Sequence, residues 1–425
     1  MSRLIDAVAQ LNHVRHLGTS MKSKIVDRWG HRLPRSLMLE VVTFLDAGMV
    51  AAMLSVNSVW HHLVHDERFC RLVYVKWFGE CTSRDMDTFQ FDRDTPWVQR
   101  LDVRVQTMLN WIHGTPSMET LSDIDKRNRM RWEWFLDGCK LHINHHNSVD
   151  NIIDLHRKRL ETYTGDQHDL DTIRHVLRDP DLAVLYDDER KFPVVIRRKS
   201  TAQEIMRIGT PDHGRIDTID CDPTSDLVRV QFYVHGEYYW HSYHALSGQR
   251  IASAALNTIH DSAAPTLSNL YDGNFYHLRG GSMDVICART GKKMIQDAKV
   301  PDFNLDAITS RHLVFRGRTG YTELWNRHRL TCEHKFHMPY FLLDMSRREC
   351  FAMGYDDSMV WKGFHIDVNG RVRHLSLRWY DPDGIVVAFN GRWVVTTLHG
   401  GNGHVYDFMP RRAQERLMTK RRKIS

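Results

Sequence analysis

Hydrophobic residues near the start of the chain recur three and four positions apart. Across residues 33–78 they form three short sets, which begin at Leu37, Met49 and Trp60 and are separated by tight corners. Apolar side chains at this spacing share one face of a helix, so the pattern predicts three short amphipathic helices. Helices of this size enclose little core, and we expect some of their apolar surface to remain for a partner.

Residues 33–72 resemble the F-box, a small helical module. The matching positions are Leu33, Pro34, Val41, Phe44, Leu45, Asp46, Val56, Trp60 and Asp66. The sequence departs from the family pattern at Ser36, Asn57 and Cys70, where Glu, Cys and Trp are usual. Since an F-box binds the Skp adaptor, the resemblance implies an adaptor-binding face made by Leu33, Pro34, Leu37, Val41, Leu45 and Met49. The alternative is an ordinary helical start of a larger bundle.

A longer helix is predicted between Thr95 and Gly114. Thr95 is the expected N-cap, Pro96 the first helical residue, and Gly114 the residue just past the end. The apolar face between these signals consists of Trp97, Leu101, Val105, Met108, Leu109 and Ile112. Residues 104–114 also resemble the helical linker that joins an F-box to a propeller in related proteins.

Beyond Gly114 the hydrophobic period becomes strand-like, and two markers recur about forty residues apart. Turn signals fall at Asp137-Gly138, Asp179-Pro180, Asp222-Pro223, Asp272-Gly273, Ser310, Ser346 and Asn390-Gly391. Apolar residues that end a strand before a polar turn fall at Ile153-Asp154, Ile196-Arg197, Tyr243-His244, Ile286-Cys287, Trp325-Asn326, Ile366-Asp367 and Tyr406-Asp407. In the sixth copy Trp361 competes with Ile366 for this place. Two markers that share one period predict seven repeated units from about residue 119 to 409.

A four-stranded antiparallel unit of this length cannot bury both faces alone, whereas radial stacking of such units can. Residues 243–248 and 286–291 resemble the end of the third strand of a WD repeat. The chain is therefore identified as similar to F-box/WD-repeat proteins. The expected fold is mainly β, with an N-terminal α-helical F-box module and a linker helix followed by a seven-bladed WD-type β-propeller.

These patterns divide the chain into five segments. They are an N-terminal segment (1–30), the F-box (31–78), a helical linker (79–117), the seven-bladed propeller (118–409) and a basic tail (410–425). The chain after Asp407 loses strand alternation, so the seventh blade lacks its outer strand. Residues 119–124 are suitably placed to pair there, and we expect them to close the propeller.

Composition adds little except at the tail. The 425 residues are 42% hydrophobic and 26% charged, as in an ordinary globular protein. The net charge of +6 is concentrated after residue 410, so a globally basic nucleic-acid binder is not indicated. Lys420, Arg421, Arg422 and Lys423 fit either a nuclear import signal or a solvated chain end, and we expect a cytoplasmic or nuclear location. The seven cysteines form no C-x-x-C pair and indicate reduced thiols.

The sequence carries no recognisable motif of enzymatic chemistry. No nucleotide-binding signature and no serine-hydrolase elbow occurs, so no catalytic residue or cofactor is predicted. No run of about 18 apolar residues occurs, so no membrane span is predicted. Cys139, His142, His145 and His146 are close in sequence, with Cys139 expected in a second strand. Zinc requires four converging ligands, and nothing in this spacing enforces convergence. A polar loop is the favoured interpretation, and no metal site is predicted.

The resemblance implies a non-catalytic substrate-recognition subunit of an SCF-type E3 ubiquitin ligase, which binds the Skp adaptor and through it the cullin scaffold. Loops between second and third strands should carry His145, His146, Arg190, Lys191, Arg279, Arg316 and Arg318. Of these, Lys191, Arg279, Arg316 and Arg318 are the candidates to bind an acidic or phosphorylated protein substrate. The alternative is a propeller scaffold, or an RNA- or complex-binding protein, whose F-box does not serve ubiquitination.

Overall fold

The structure is a computed structural model that describes selected parts of the chain. These parts are residues 39, 42, 45, 48, 50–51, 66–121, 132–145, 148–157, 159–162, 182–185, 194–198, 201, 203–209, 214–222, 224–256, 268–317, 321–337, 340–344, 346–347, 349–355, 361–367, 369–375, 377, 384–398 and 403–410. Most of residues 33–65, which carry the F-box resemblance, therefore lie outside the described residues. No helix in the described ranges is long and apolar enough to cross a membrane.

Three helices are described between residues 67 and 113: α1 (Glu67–Phe78), α2 (Ser83–Phe89) and α3 (Trp97–His113). The side chain of Asp66 accepts a hydrogen bond of 2.8 Å from Phe69 N and so caps α1. Cys70, which stands where the family usually has Trp, is fully buried in α1. Burial raises the pKa of its thiol to about 12, with smaller contributions from nearby Glu67 and Asp66.

The ends of α3 confirm one sequence signal and correct another. Gly114 ends the helix in the left-handed region, at φ 62° and ψ 47°, as predicted. The predicted N-cap, Thr95, is wrong by one residue, because Pro96 occupies that place and makes no side-chain capping bond. The Thr95 hydroxyl instead accepts a bond of 2.8 Å from Asp92 N, which stabilises the turn before the helix.

Antiparallel strands make up most of the described chain after α3. In chain order they are β1 (Ser117–Leu121), β2 (Trp132–Asp137), β3 (Lys140–His145), β4 (Ser148–Asp154), β5 (Arg159–Thr162), β6 (Leu182–Leu185), β7 (Val194–Arg198), β8 (Glu204–Ile208), β9 (Arg215–Cys221), β10 (Leu227–Val234), β11 (Glu237–His244), β12 (Gln249–Leu256), β13 (Ser268–Tyr271), β14 (Asn274–Arg279), β15 (Ser282–Cys287), β16 (Lys293–Lys299), β17 (Asn304–Ile308), β18 (His312–Arg316), β19 (Thr322–Asn326), β20 (Cys332–Phe336), β21 (Tyr340–Asp344), β22 (Cys350–Tyr355), β23 (Trp361–Ile366), β24 (Val372–Leu375), β25 (Gly384–Phe389), β26 (Trp393–Leu398) and β27 (Gly403–Asp407).

Hydrogen bonding sorts these strands into seven sheets. Five contain four successive strands each, namely β2–β5, β9–β12, β13–β16, β17–β20 and β21–β24. Strands β6–β8 form a three-stranded sheet, and β25–β27 are joined by β1. A series of four-stranded antiparallel sheets of this kind is the topology of a β-propeller. The fold is therefore mainly β, with helices before a WD-type propeller, as the repeat pattern predicted.

The last sheet is completed by the strand from the other end of the series. Strand β1 pairs antiparallel with β27, from Ser117 opposite Asp407 to Leu121 opposite Gly403. This confirms the predicted pairing in the last sheet, although the strand begins two residues before residue 119. Residues 122–124, which we also expected in it, lie outside the described residues.

The first sequence marker falls at the connection between first and second strands. This holds for the signals at Asp137, Asp222, Asp272, Ser310, Ser346 and Asn390, while Asp179-Pro180 lies outside the described residues. The clearest case is the turn from β13 to β14, where Asp272 and Gly273 both have positive φ, at 53° and 68°. Two such residues are what a two-residue type I′ hairpin requires.

The second marker lies at or near the end of β4, β7, β11, β15, β19, β23 and β27. Ile366 ends β23 and Trp361 begins it, which settles the register of the sixth copy in favour of Ile366. Asp154 shows why a polar residue follows the apolar one. Its Oδ1 accepts bonds of 2.8 and 3.0 Å from the main-chain N–H groups of His156 and Arg157, and so turns the chain toward β5.

The chain divides into two compact units. Unit 1 comprises Met1–Cys81, Thr88–Asp125 and Phe341–Ser425, and unit 2 comprises Thr82–Asp87 and Lys126–Tyr340. Unit 1 therefore holds most of the helical residues together with the last two sheets. The five segments expected from the sequence remain a prediction.

The core of unit 1 joins α1 and α3 to the last two sheets. Trp111 of α3 is 2% exposed and stacks on Phe408, with ring centroids 3.9 Å apart and an interplanar angle of 10°. The Trp111 ring also packs against Phe351 of β22, with ring centroids 5.4 Å apart. Asn110 Nδ2 donates a bond of 2.8 Å to the main-chain oxygen of Phe408. Aromatic packing and this hydrogen bond together fix α3 on the sheets.

Unit 2 is held together by apolar clusters, each drawn from two sheets that follow one another in the chain. A buried carboxylate adds a polar connection between two of these sheets. Asp222 is fully buried, and its Oδ2 accepts a bond of 2.7 Å from Gly273 N in the next sheet. Nearby, the buried guanidinium of Arg229 contacts Asp220 and lies 3.9 Å from the centre of the Phe275 ring. Burial lowers the pKa of Arg229 to about 9.

Candidate functional site

The loops between second and third strands hold the predicted substrate cations where they are described. Arg279 ends β14, Arg316 ends β18 and His145 ends β3, and each strand is the second of its sheet. The remaining predicted residues, His146, Arg190, Lys191 and Arg318, lie outside the described residues. The predicted connection is therefore correct for Arg279, Arg316 and His145.

Arg316 already has an acidic neighbour. Its Nη2 lies 2.7 Å from Oδ2 of Asp306 on β17, and the two side chains are 31% and 33% exposed. Burial raises the pKa of Asp306, and the positive charge of Arg316 opposes that rise. An anionic ligand would have to compete with Asp306 for the guanidinium. The role of Arg316 in substrate binding remains a prediction.

An aromatic group that sequence reasoning missed lies at the hairpin between β10 and β11. Tyr233 and Tyr238 face each other across the two strands, with ring centroids 4.9 Å apart. The guanidinium carbon of Arg215 lies 5.1 Å from the centre of the Tyr233 ring. The Tyr239 hydroxyl bonds to Glu237. This hairpin also connects a second strand to a third, and the dense run of aromatic residues on both sides of His235 is the sequence signal that could have predicted it.

The structure corrects the predicted adaptor-binding face at one residue, Leu45. Leu45 is 3% exposed and belongs to the core of unit 1, together with Val42 and Val50. A side chain with so little exposed surface offers almost nothing to a partner, so its role here is packing. The other predicted contacts, Leu33, Pro34, Leu37, Val41 and Met49, lie outside the described residues and remain predictions. Among described residues of this stretch, Leu72 on α1 is an exposed large apolar side chain, at 43%.

Three side chains of unit 2 with metal-ligating chemistry converge, and we call them the Asp87 cluster. Asp87 lies on α2, Cys139 in the turn from β2 to β3, and His156 in the turn from β4 to β5. Their ligand atoms all lie within 4.8 Å of one another. Within the described ranges this is the one group of three or more His, Cys, Asp or Glu residues that could hold a metal ion.

The carboxylate of Asp87 makes a two-point contact with Cys139. Its Oδ2 accepts a bond of 2.8 Å from Cys139 N, and its Oδ1 lies 3.2 Å from Cys139 Sγ. His156 Nε2 lies 2.8 Å from the main-chain oxygen of Asp87. Burial, and to a smaller extent the negative charge of Asp87, raises the pKa of the Cys139 thiol well above its ordinary range. In this arrangement Cys139 Sγ is the donor and the carboxylate of Asp87 the acceptor.

Gly138 is the residue that lets the carboxylate come this close. Its φ is 59°, and a Cβ added there would lie 2.1 Å from Asp87 Oδ2. A side chain at this position would therefore push Asp87 away from Cys139.

The structure corrects the sequence interpretation of Cys139. It precedes the second strand, since β3 begins at Lys140, and its described partners are not the three histidines that follow in sequence. Asp87 lies 52 residues upstream. A contact over that distance along the chain has no local sequence signal.

Comparison with known proteins supplies no family. No protein-family model matches the chain. No curated protein matches it either. It is similar to solved structures of U3-55K, with 9% identity and a TM-score of 0.45 over 69% of this chain and 99% of that one. The WD40 repeats of RRP9 give 9% and 0.44 over 69% and 98%, and a mitotic checkpoint complex gives 11% and 0.43 over 69% and 94%. With TM-scores this low, the fold assignment rests on the strand topology described above.

Proposed function

We propose that this chain is a non-catalytic substrate receptor of an SCF-type ubiquitin ligase. In this proposal the segment that resembles an F-box binds the Skp adaptor and, through it, the cullin scaffold. The propeller binds a protein substrate. The chain contributes no chemical group to the reaction, and its effect is to raise the local concentration of substrate lysines near the ubiquitin-loaded enzyme.

The observation that carries the proposal is the fixed connection between the helices and the sheets of unit 1. A receptor of this kind needs its adaptor-binding module joined to propeller sheets, and in unit 1 helices pack directly on the last two sheets. Three contacts support a firm connection. Trp111 stacks on Phe408, Arg347 N donates a bond of 2.7 Å to the main-chain oxygen of Trp77, and Arg392 Nη1 donates one of 2.9 Å to that of Thr88.

The adaptor interaction is tested with a charge in the predicted face. Val41→Asp places a carboxylate among apolar contacts, and at the hot-spot scale of about 2 kcal/mol or more it should weaken adaptor binding at least about 30-fold. The measurement is titration of purified adaptor against the full chain. Met294→Asp is the matched control, because Met294 is 61% exposed on β16, in unit 2. Full adaptor affinity in a folded Val41→Asp variant would remove the F-box from the proposal.

The substrate side of the proposal rests on the cations of the second-to-third-strand loops. Lys191, Arg279, Arg316 and Arg318 are proposed to bind an acidic or phosphorylated segment. Reversing two charges, in Arg316→Glu with Arg318→Glu, should abolish capture of such a substrate while adaptor affinity stays unchanged. If substrate capture survives in this variant, another surface is the receptor site. Steep salt dependence of binding to RNA, with no adaptor binding, would favour the alternative function.

The tail residues are proposed to act as a nuclear import signal, and they are Lys420, Arg421, Arg422 and Lys423. A fluorescent fusion of the full chain is compared with one in which these four residues are alanine. A nuclear fraction that is the same in both would exclude the tail as an import signal.

A further inference from the structure

We propose that Asp87, Cys139 and His156 form a zinc-binding site in unit 2. The site would connect Asp87 of α2 to two turns of the β2–β5 sheet. It is independent of adaptor and substrate binding, so it stands or falls apart from the proposed function.

The donor set selects the kind of ion. Cys139 offers sulfur, His156 offers an imidazole nitrogen and Asp87 offers a carboxylate oxygen. Zinc binds all three types, at about 2.3 Å for sulfur and about 2.0–2.2 Å for nitrogen and oxygen. Calcium and magnesium take oxygen ligands and do not use thiolates. Three protein ligands leave one position of a tetrahedral ion for water or a further ligand.

The sulfur–oxygen distance needs only a small adjustment, whereas binding through His156 Nε2 would replace its 2.8 Å contact with the Asp87 main-chain oxygen. In a tetrahedral site with the bond lengths above, a sulfur and an oxygen ligand stand about 3.5 Å apart. Cys139 Sγ and Asp87 Oδ1 are 3.2 Å apart in the structure. All three ligand atoms already lie within 4.8 Å of one another. An ion placed among them would replace the contact between thiol and carboxylate with two metal bonds.

Surrounding hydrogen bonds hold the ligands in place, as is usual around metal sites. Cys139 N binds Asp87 Oδ2, at 2.8 Å, and so directs Oδ1 toward the sulfur. The turn that carries His156 is fixed by Asp154, whose Oδ1 accepts a bond of 2.8 Å from His156 N. The absence of a side chain at Gly138 leaves room for the carboxylate. Two turns and a helix thus present one ligand each.

Binding exchanges a proton for the metal. The thiol of Cys139 loses its proton to the buffer, its sulfur lone pair forms the bond to Zn²⁺, and no electron is transferred. Cys139 is 4% exposed, so the ion would be shielded on the sulfur side, while exposed Asp87 gives it a path from solvent.

The test uses the full chain without a histidine tag, freed of metal with a chelator and then dialysed. Zinc added at low micromolar free concentration should bind at one equivalent per chain, measured by elemental mass spectrometry. Cobalt(II) added instead should give a thiolate-to-cobalt charge-transfer absorption, which reports a cobalt–sulfur bond directly. Less than about a tenth of an equivalent of zinc with no such absorption would overturn the proposal, and this reading needs no variant.

Variants then assign the ligands. Cys139→Ser should abolish the charge-transfer absorption. His156→Gln and Asp87→Asn should each lower the affinity for zinc at least about tenfold, because each removes one ligand of the metal. Asp87→Asn keeps an oxygen for the bond from Cys139 N and so tests the ligand rather than the packing. Cys332→Ser is the control, since Cys332 lies on β20, outside the cluster. An absorption that persists in Cys139→Ser or disappears in Cys332→Ser contradicts the site.

Discussion

Asp222 offers a sharp test of how successive sheets of unit 2 are joined. Its fully buried carboxylate accepts bonds from Thr224 N and Oγ1 at 2.9 and 2.7 Å and from Ser225 Oγ at 2.8 Å, which are local. It also accepts bonds from the next sheet, from Asp272 N at 3.2 Å and Gly273 N at 2.7 Å. Replacing it with alanine removes both kinds of contact in one step.

The expected cost follows from the two main-chain donors left behind. A buried donor without its acceptor costs about 1–3 kcal/mol, but Asp272 is exposed and Gly273 half-buried, so water can reach their amides and the lower half of that range applies, about 2–4 kcal/mol for the two together. Asp272 N is also 3.1 Å from Thr224 Oγ1, and this second acceptor reduces its share. We therefore expect Asp222→Ala to lower the free energy of unfolding of unit 2 by about 3 kcal/mol. Asp222→Asn keeps one acceptor oxygen and should cost about half as much.

Two measurements check this expectation. Urea unfolding gives the change in free energy, and hydrogen exchange followed by mass spectrometry gives the protection of the peptide that contains Asp272 and Gly273. Asp302→Ala is the control, because Asp302 is an exposed aspartate of the same unit and should change stability by less than about 0.5 kcal/mol. A change that small in Asp222→Ala, with protection of Asp272 and Gly273 retained, would refute the role given to this carboxylate.

Two further predictions concern buried aromatic and ionisable side chains. Trp111→Ala should destabilise unit 1 by about 3–5 kcal/mol. Trp111→Phe should cost less than about 2 kcal/mol, because the Trp111 Nε1 that it removes has no acceptor among the described residues. Equal losses of unfolding free energy for the two variants in urea would contradict this prediction. Burial, and to a smaller extent the positive charge of Arg311, lowers the pKa of His312 to about 4. As the pH falls below about 6.5, His312 is therefore protonated in the unfolded chain before it is protonated in the folded chain. Stability from this group is therefore complete above about pH 6.5 and decreases toward pH 4, by about 3 kcal/mol at most, and His312→Gln should show a flatter pH dependence of unfolding free energy. An unchanged slope in that variant would assign the proton uptake to another group.

Local patterns were sufficient for much of the fold. The turn at Asp272-Gly273 and the strand end at Ile366 were recognisable because turn geometry and strand alternation depend on neighbours within a few residues. Repetition of these signals indicated seven units, and the loss of alternation after Asp407 indicated a missing strand. Strand β1 supplies it, since an edge with unpaired main-chain groups is satisfied by another strand.

The same local patterns misplaced details that depend on packing. Thr95 was expected to cap α3, yet its hydroxyl binds Asp92 N, and Pro96 takes the cap position. Leu45 was expected at a partner surface because its spacing gave it an apolar face. The spacing of apolar residues predicts which of them share a face of a helix, but it does not predict whether other parts of the same chain cover that face. In the structure Leu45 is covered by the core of unit 1.

The sequence by itself determined the kinds of elements, their order and their repeat, because hydrophobic period and turn chemistry are properties of adjacent residues. Only the tertiary structure decided which side chains meet. Arg316 was recognised as a loop cation, but its pairing with Asp306 depends on the register of β17 and β18. Cys139 was recognised as a potential ligand, but Asp87 and His156 reach it from a helix and a different turn. Such contacts depend on how distant segments pack, and no spacing along the chain encodes them.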